Sequence, residues 1–342
     1  MKILGIESSC DDTSISIIDN NKNILANETI SQNQIHKDYK GVVPELAARN
    51  HVLYIDKILK IILKQQQLRM TDIGLISATV GPGLIGGLLV GLTFAKTLSQ
   101  VNKIPFIGVN HLEGHALTAR LTNKVEYPFL LLLVSGGHSN FYFISGINDY
   151  KFLGGTLDDA LGEAFDKVAN ILGLDFPGGP QLELEAINGD YKKISLPKPL
   201  INVKSLDMSF SGLKTAALNC KNAIDKNDIS RCDLAASFQK SVADVLSRKI
   251  SLAIDISNKK FSNYKNVVVS GGVAANNYLR KKIIETVKLK DKLVFFPPAN
   301  LCTDNGAMIA WAGYELYSAG VKSKLNLKAK PRWPLESIGE RA

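Results

Sequence analysis

Near the N-terminus apolar Ile3 and Ile6, then Ile15 and Ile17, alternate with other residues on either side of Ser8-Ser9-Cys10-Asp11-Asp12-Thr13. A period of two flanking a small polar cluster predicts a β-hairpin. Such a turn can offer hydroxyls and backbone amides to a phosphate, although an ordinary polar turn has the same composition. Beyond Pro44 the period changes, and Leu46, Leu53, Ile58, Ile61 and Ile62 mark an amphipathic helix over residues 45–66. A strand is expected at residues 74–80. It leads into Gly81-Pro82-Gly83-Leu84-Ile85-Gly86-Gly87, a glycine-rich entry to a helix carrying residues 88–98, where backbone can approach a neighbour closely.

Phe129-Leu130-Leu131-Leu132-Leu133-Val134 is apolar without interruption, the pattern of a strand buried on both faces. It stops at Ser135-Gly136-Gly137-His138. A second run, Val267-Val268-Val269, stops at Ser270-Gly271-Gly272-Val273 and continues into Ala274-Ala275-Asn276. The chain thus uses one device twice: a buried strand ending in residues that leave backbone amides unobstructed, which suits a phosphate or adenylate at a sheet's carboxyl edge. One Ser-Gly-Gly alone is more often a turn.

Residues 157–169 predict an amphipathic helix whose first turn holds Asp158 and Asp159, placed as the helix dipole favours. Asp166, well inside it, has no such explanation. Phe176-Pro177-Gly178-Gly179-Pro180 reads as a rigid loop, and residues 208–215 as a polar segment ahead of a helix. Another helix is expected over residues 233–256. The end of the chain, residues 322–333, is basic, contains proline and lacks periodicity, so it reads as a tail or a nucleic-acid contact.

With 342 residues, two domains are expected. Apolar residues at 45% and charged ones at 21% suit an ordinary globular protein. Cys10, Cys220, Cys232 and Cys302 form no Cys-x-x-Cys pair, which points to reduced thiols rather than disulfides or a cysteine-based zinc site. Glu7 inside the first apolar stretch argues against a secretion signal, and the run from residue 84 to 95 is too short to span a bilayer. The expectation is a cytoplasmic protein with no membrane association. A net charge of +9 favours polyanionic partners, nucleic acid first.

The pattern richest in chemistry is His111-Leu112-Glu113-Gly114-His115. A spacing of four returns to the same helical face, so both imidazoles can reach one metal ion. A zinc-protease helix carries Glu directly after its first His; here Leu112 stands there, and Glu113 lies roughly 200° around the helix. Glu113 is therefore poorly placed as a general base. Far along the chain, Asp304 precedes a small-residue helix beginning at Ala307. Its ordinary reading is an N-cap. As a third ligand it would complete two histidines and a carboxylate, a set suited to Fe(II) or Zn(II) with positions left open.

These pieces resemble the bacterial TsaD group of a universal family of tRNA threonylcarbamoyl-adenosine enzymes. The resemblance runs from Gly5-Ile6-Glu7-Ser8-Ser9-Cys10-Asp11-Asp12-Thr13 to Thr303-Asp304-Asn305-Gly306-Ala307-Met308-Ile309-Ala310. Between them it takes in residues 110–115, 134–138, 162–167, 177–180, 210–215 and 270–276. It implies an α/β protein of the actin/Hsp70-like fold, two ribonuclease-H-like lobes around a central cleft. The lobes are expected at residues 1–127, completed by a helix at about 306–320, and at 128–305, with 321–342 as a basic tail. Carried over, His111, His115 and Asp304 would bind one divalent metal per subunit, Fe(II) ahead of Zn(II). Val134, Ser135, Gly136, Gly137 and His138 would line the donor's carbamoyl and phosphate region. Asp166, Gly179 and Asn276 would bind its adenosine part, and Glu183 would touch the ribose.

The resemblance also implies the reaction: transfer of threonylcarbamoyl from threonylcarbamoyl-AMP to the N6 amine of the adenosine 3′ of the anticodon, in tRNAs reading codons that begin with adenine. That amine is a weak nucleophile because its lone pair is delocalised into the purine. His138 is the candidate base. Implied partners are tRNA, a TsaB-like paralogue as heterodimer, a TsaE-like ATPase and a TsaC-type synthase that makes the adenylate. The competing readings are a metallo-endopeptidase of the O-sialoglycoprotein type and a sugar-kinase or ATPase-like member of the same fold.

Overall fold

The computed structural model describes residues 1–39, 41–225, 229–261 and 263–340. It forms two compact units, the first holding Met1–Lys124, Gly146–Tyr150 and Thr303–Ala342, the second Val125–Ser145 and Lys151–Cys302. In chain order the first unit begins with β1 (Lys2–Glu7), β2 (Thr13–Asp19), β3 (Ile24–Ile30), α1 (Asn33–His36), α2 (Pro44–Gln65), β4 (Ile73–Gly81), α3 (Ile85–Asn102), β5 (Phe106–Asn110) and α4 (His111–Thr122). Then come β6 (Phe129–Val134), β7 (Ser139–Gly146), β8 (Asp149–Gly155), α5 (Leu161–Ile171), α6 (Gly178–Ala186), α7 (Ser211–Asp225), α8 (Arg231–Lys260), β9 (Asn266–Ser270), α9 (Asn277–Lys288) and β10 (Leu293–Phe295). The last long helix, α10 (Gly306–Ser318), returns to the first unit.

The first sheet has the order β3-β2-β1-β4-β5, with β1, β2 and β3 antiparallel in turn and β4 and β5 parallel to β1. The second has the order β10-β9-β6-β7-β8, in which β6 stands where β1 stands in the first. One ribonuclease-H-like topology therefore occurs twice. In the first sheet Gly5 lets α10 lie flat against β1, since a Cβ there would sit 2.5 Å from the Ala310 amide. Ile6 faces α3 on the opposite side. In the second unit every residue of β6 is buried, as its unbroken apolar run requires, and each such Leu or Phe contributes roughly 1.5–3 kcal/mol. Helix α8 starts at a capping box formed by Ser230 and Asp233.

Three expectations change. The buried row of α2 is Ala47, His51, Ile55, Ile58, Leu59 and Ile62, while Leu53 and Ile61 are 54% and 48% exposed. The helix is where it was expected, but its inner face is rotated, because a polar residue occupies it: His51 meets the Thr13 hydroxyl at 2.7 Å and the Cys10 carbonyl at 3.0 Å. Asp158 does not open α5. It lies ahead of that helix and accepts from the hydroxyls of Ser209 and Ser211 and the amide of Phe210, fixing the start of α7. The third change concerns the basic end of the chain.

Residues 321–338 are no free tail. Ser323 Oγ accepts from the Gly108 amide at 3.0 Å, the Lys330 amide donates to Val80 O at 2.8 Å, and the Gly83 amide donates to Pro331 O at 3.1 Å. Lys96 donates to Leu327 O. Trp333, Leu335 and Ile338 are buried. This strap meets the carboxyl end of β4 through the Lys330 amide and the middle of β5 through the Ser323 hydroxyl, an attachment that leaves no periodic trace in sequence. The glycine-rich entry to α3 accordingly approaches the protein itself: a Cβ on Gly83 would fall 2.5 Å from Ser9 O.

Candidate metal centre and glycine-loop site

Helix α4 follows β5 without a linker. Asn110 caps it, its Oδ1 accepting from the amides of Leu112 at 2.9 Å and Glu113 at 3.4 Å, while its Nδ2 donates to Trp333 O at 2.9 Å. His111 thus occupies the first turn and His115 the next, on one face, with ring centroids 4.7 Å apart. Asn305, not Asp304, is the N-cap of α10, accepting from the Met308 amide at 2.9 Å. Relieved of that duty, Asp304 Oδ1 lies 3.0 Å from His115 Nε2 and 3.5 Å from His111 Nε2. The three side chains place ligand atoms within 4.8 Å of one another.

Behind His111 stands Glu7, which the sequence had offered only as an argument against a secretion signal. Its Oε2 is 3.0 Å from His111 Nδ1, and Ser9 Oγ is 3.1 Å from the same nitrogen. The Ser9 amide and Thr79 hydroxyl donate to the carboxylate at 2.6 and 2.5 Å. A carboxylate on Nδ1 directs Nε2 outward, the arrangement by which metal-ligating histidines are oriented. Glu113 is fully buried and accepts from the Tyr150 hydroxyl at 2.6 Å, so it faces elsewhere and supplies no base.

Burial alone would push His111 toward its neutral form, but the charges of Asp304 and Glu7 outweigh it and raise the group to about 9. Burial works to raise Glu7, and the charge and hydrogen bond of His111 hold it below the usual carboxylate range. Asp12 is pushed up to about 7 by burial, then by Asp304 and Asp11. Carboxylates around the two imidazoles therefore outnumber the cations, and a proton on His111 partly balances them. Two imidazole nitrogens and a carboxylate oxygen in such surroundings fit a divalent first-row metal ion with coordination positions to spare.

In the second unit the two Ser-Gly-Gly segments stand side by side, because β6 and β9 are adjacent and parallel with Leu133 opposite Ser270. The first closes on itself, the Ser135 amide donating to His138 O at 2.8 Å and the His138 amide to Ser135 Oγ at 3.2 Å. Nothing lies within 4 Å of where a Cβ on Gly136 or Gly137 would be. Gly271 has φ 98° and is packed against the backbone of Val134. Asp166 reaches out of α5 to accept from the Gly178 amide at 2.7 Å, which explains its position inside that helix. Residues 178–180 are thereby the first turn of α6 rather than a loop.

Glu183 Oε1 accepts from the Asn277 amide at 2.7 Å, and Asn276 caps α9 through the Leu279 amide at 2.9 Å. Because a backbone amide can only donate, that cap fixes the Asn276 side chain: Oδ1 accepts, so Nδ2 donates, and it does so to Gln239 Oε1 at 2.9 Å. Pro180, Glu183, Tyr191, Gln239, Asn277 and Tyr278 line a cavity of about 640 Å³, within the usual range for a small-molecule site. Gln239 was not singled out from sequence. Its only signal was a polar residue on the inner face of a long helix.

The first unit thus holds a centre fit for a metal, and the second a pair of adjacent glycine turns and, separately lined, a cavity to which Glu183 alone of the expected donor residues contributes. The actin/Hsp70-like fold agrees with solved structures. HypF of T. kodakarensis superposes with TM-score 0.61 at 17% identity over 93% of this chain and 48% of its own. Component A of the (R)-2-hydroxyglutaryl-CoA dehydratase of Acidaminococcus fermentans gives 0.55 at 16%, over 93% and 99%. At such identities the likeness concerns fold alone. The family model for TsaD, tRNA N6-adenosine threonylcarbamoyltransferase, matches residues 23–311. The tRNA N6-adenosine threonylcarbamoyltransferase of Rickettsia rickettsii (strain Sheila Smith) is 53% identical over 341 residues, covering 99% of each chain. That of Rickettsia bellii (strain OSU 85-389) is 52% identical over 339 residues, 98% of this chain and 99% of its own. The chain belongs to the TsaD family.

Proposed function

We propose that this chain transfers the threonylcarbamoyl group of threonylcarbamoyl-AMP to the N6 amine of the adenosine 3′ of the anticodon, in tRNAs reading codons that begin with adenine. The observation that carries the reading is the convergence of His111, His115 and Asp304 in a chain of this family. In the transfer a bond forms between N6 and the carbamoyl carbon, the bond from that carbon to the phosphate oxygen breaks, AMP departs, and the amine gives up one proton. His138 takes that proton in our reading. The amides of Gly136 and Gly137 steady charge on the departing phosphate, and Asp166, Gly179, Glu183 and Asn276, with Gln239, hold the adenosine part. Holding both reactants supplies about 7–11 kcal/mol toward the barrier.

His111, His115 and Asp304 hold the metal in this proposal, Fe(II) ahead of Zn(II), with Glu7 orienting His111. Bound there, such an ion supplies Lewis acidity toward the threonylcarbamoyl carbonyl. A TsaB-like paralogue and a TsaE-like ATPase are the proposed protein partners, and the cytoplasm the proposed compartment. Among the described residues no helix is long and apolar enough to cross a membrane. The endopeptidase reading has no observation in its favour, since Leu112 stands where its base belongs and Glu113 is buried against Tyr150.

The test is direct. The purified chain, its partners, threonylcarbamoyl-AMP and unmodified tRNA are incubated, and the nucleosides are analysed by mass spectrometry. Modified adenosine and tRNA-dependent AMP release are expected, and neither with His111→Ala. Peptide cleavage by the pure chain without tRNA modification would overturn the reading.

A further inference from the structure

The strap at the end of the chain does more than close the first unit. Between residues 321 and 335 it carries Lys322, Lys324, Lys328, Lys330 and Arg332 and no carboxylate, five cations against a net charge of +9 for the whole protein. Some lysines elsewhere are neutralised, as in Lys167 with Asp159 and Glu163, Lys193 with Asp233 and Lys290 with Asp255. Among the described residues, Lys322, Lys324, Lys328 and Arg332 make no ion pair, and all four are exposed. Lys330 instead lies over the Trp333 ring, 4.7 Å from its centroid.

A run of lysines on a loose tail is usually a solvated segment. This one is anchored. Hydrogen bonds with Gly108, Lys96, Val80 and Gly83 hold it in place, and its Trp333 and Leu335 are buried. Anchoring means the segment that carries the cations is already ordered, so a ligand that uses them does not bear the cost of ordering the chain. The segment also includes Trp333, whose carbonyl holds the Asn110 cap of the helix bearing His111 and His115.

We infer that residues 322–332 form a phosphate-binding surface for the tRNA substrate, engaging its backbone through Lys324, Lys328 and Arg332. This rests on the proposed function. Cations of this kind position a nucleic acid without reading its sequence, and each phosphate contact releases counterions, so the contribution is visible in the salt dependence of binding.

The experiment compares full-length wild type, the triple variant Lys324→Gln/Lys328→Gln/Arg332→Gln, and Lys259→Gln/Lys260→Gln/Lys265→Gln, which removes the same charge from exposed lysines of the second unit. Binding of unmodified tRNA is followed by fluorescence anisotropy from 50 to 200 mM salt. The strap variant is expected to bind at least ~10-fold more weakly and to lose about 3 from the slope of log K against log salt. The control should keep the wild-type slope, and both variants should keep the wild-type melting temperature. Equal losses in the two variants, or an unchanged slope in the strap variant, would overturn the inference. Should wild type modify tRNA while the strap variant binds it normally, the surface fails and the function stands; absence of tRNA modification by wild type with its partners sinks the function itself.

Discussion

The two units carry the same strand order but build their sites from opposite materials. In the first, side chains do the work: His111, His115 and Asp304 converge, and Glu7, Ser9, Thr79 and Asn110 hold them through buried hydrogen bonds. In the second, the candidate phosphate region is main chain, with side chains kept away from Gly136 and Gly137. A metal needs particular donor atoms, whereas a phosphate can be met by amides of any sequence, given space. The first site should therefore fail when chemistry is altered at constant size, and the second when size is added at constant chemistry.

The largest effect that would break this contrast is at the ligands. Replacing Asp304 or His115 by Ala should lower tRNA modification on the order of 10³-fold and abolish the visible spectrum of bound Co(II). Retention of Co(II) with normal coordination would show that the three residues are not the ligand set. Next come two glycines of the second unit. Gly271→Ala must force a side chain into a φ of 98° and against Val134, and should cost about 2–3 kcal/mol in urea unfolding. Gly136→Ala enters open space and should leave stability within about 0.5 kcal/mol while weakening AMP binding, read by calorimetry. Equal stability loss at both positions would remove the distinction.

Glu7→Gln keeps the shape beside His111 and removes the charge. Metal affinity should fall about 10–100-fold, and a wild-type value by competition with a chelator would mean that Glu7 is merely buried structure. The smallest effect lies outside both sites. Burial tends to raise Asp158, yet the hydrogen bonds from Ser209, Ser211 and the Phe210 amide hold it down at about 2, below the ordinary 3.8. Its contribution to stability is thus present above pH 3.8 and lost as pH falls through 2. Asp158→Asn should cost about 1 kcal/mol at pH 7, and the gap to wild type should close toward pH 2.

Sequence made legible what depends on local period. The run at β6, the helix pair His111 and His115, and the paired Ser-Gly-Gly turns all announce themselves because the physical requirement acts on consecutive or helically spaced residues. Distant partnerships do not. Glu7 and Asp304 are separated by almost the whole chain, and each looked locally ordinary, one a strand residue and the other a cap. The large apolar residues of α2 point to a different inner face from the actual row, which admits His51 through its bonds to Thr13 and Cys10. Strand β5 gives a weak signal because Phe106-Ile107-Gly108-Val109-Asn110 is short and punctuated by Gly and Asn. The strap leaves little trace in sequence because many of its anchors are carbonyls and amides, which every residue has.

The discontinuity of the first unit sets an order of events on the ribosome. The nascent chain delivers β1 to α4 early, but Thr303 and everything after it follow the 125–302 insertion. At ordinary elongation rates of 5–20 residues per second that delay is roughly 10–35 s. During it the inserted unit can close its own core, while β1 waits without α10 and His115 without Asp304. The candidate metal centre is therefore assembled last, and a polypeptide released before residue 304 carries two of its three converging side chains and nothing to join them.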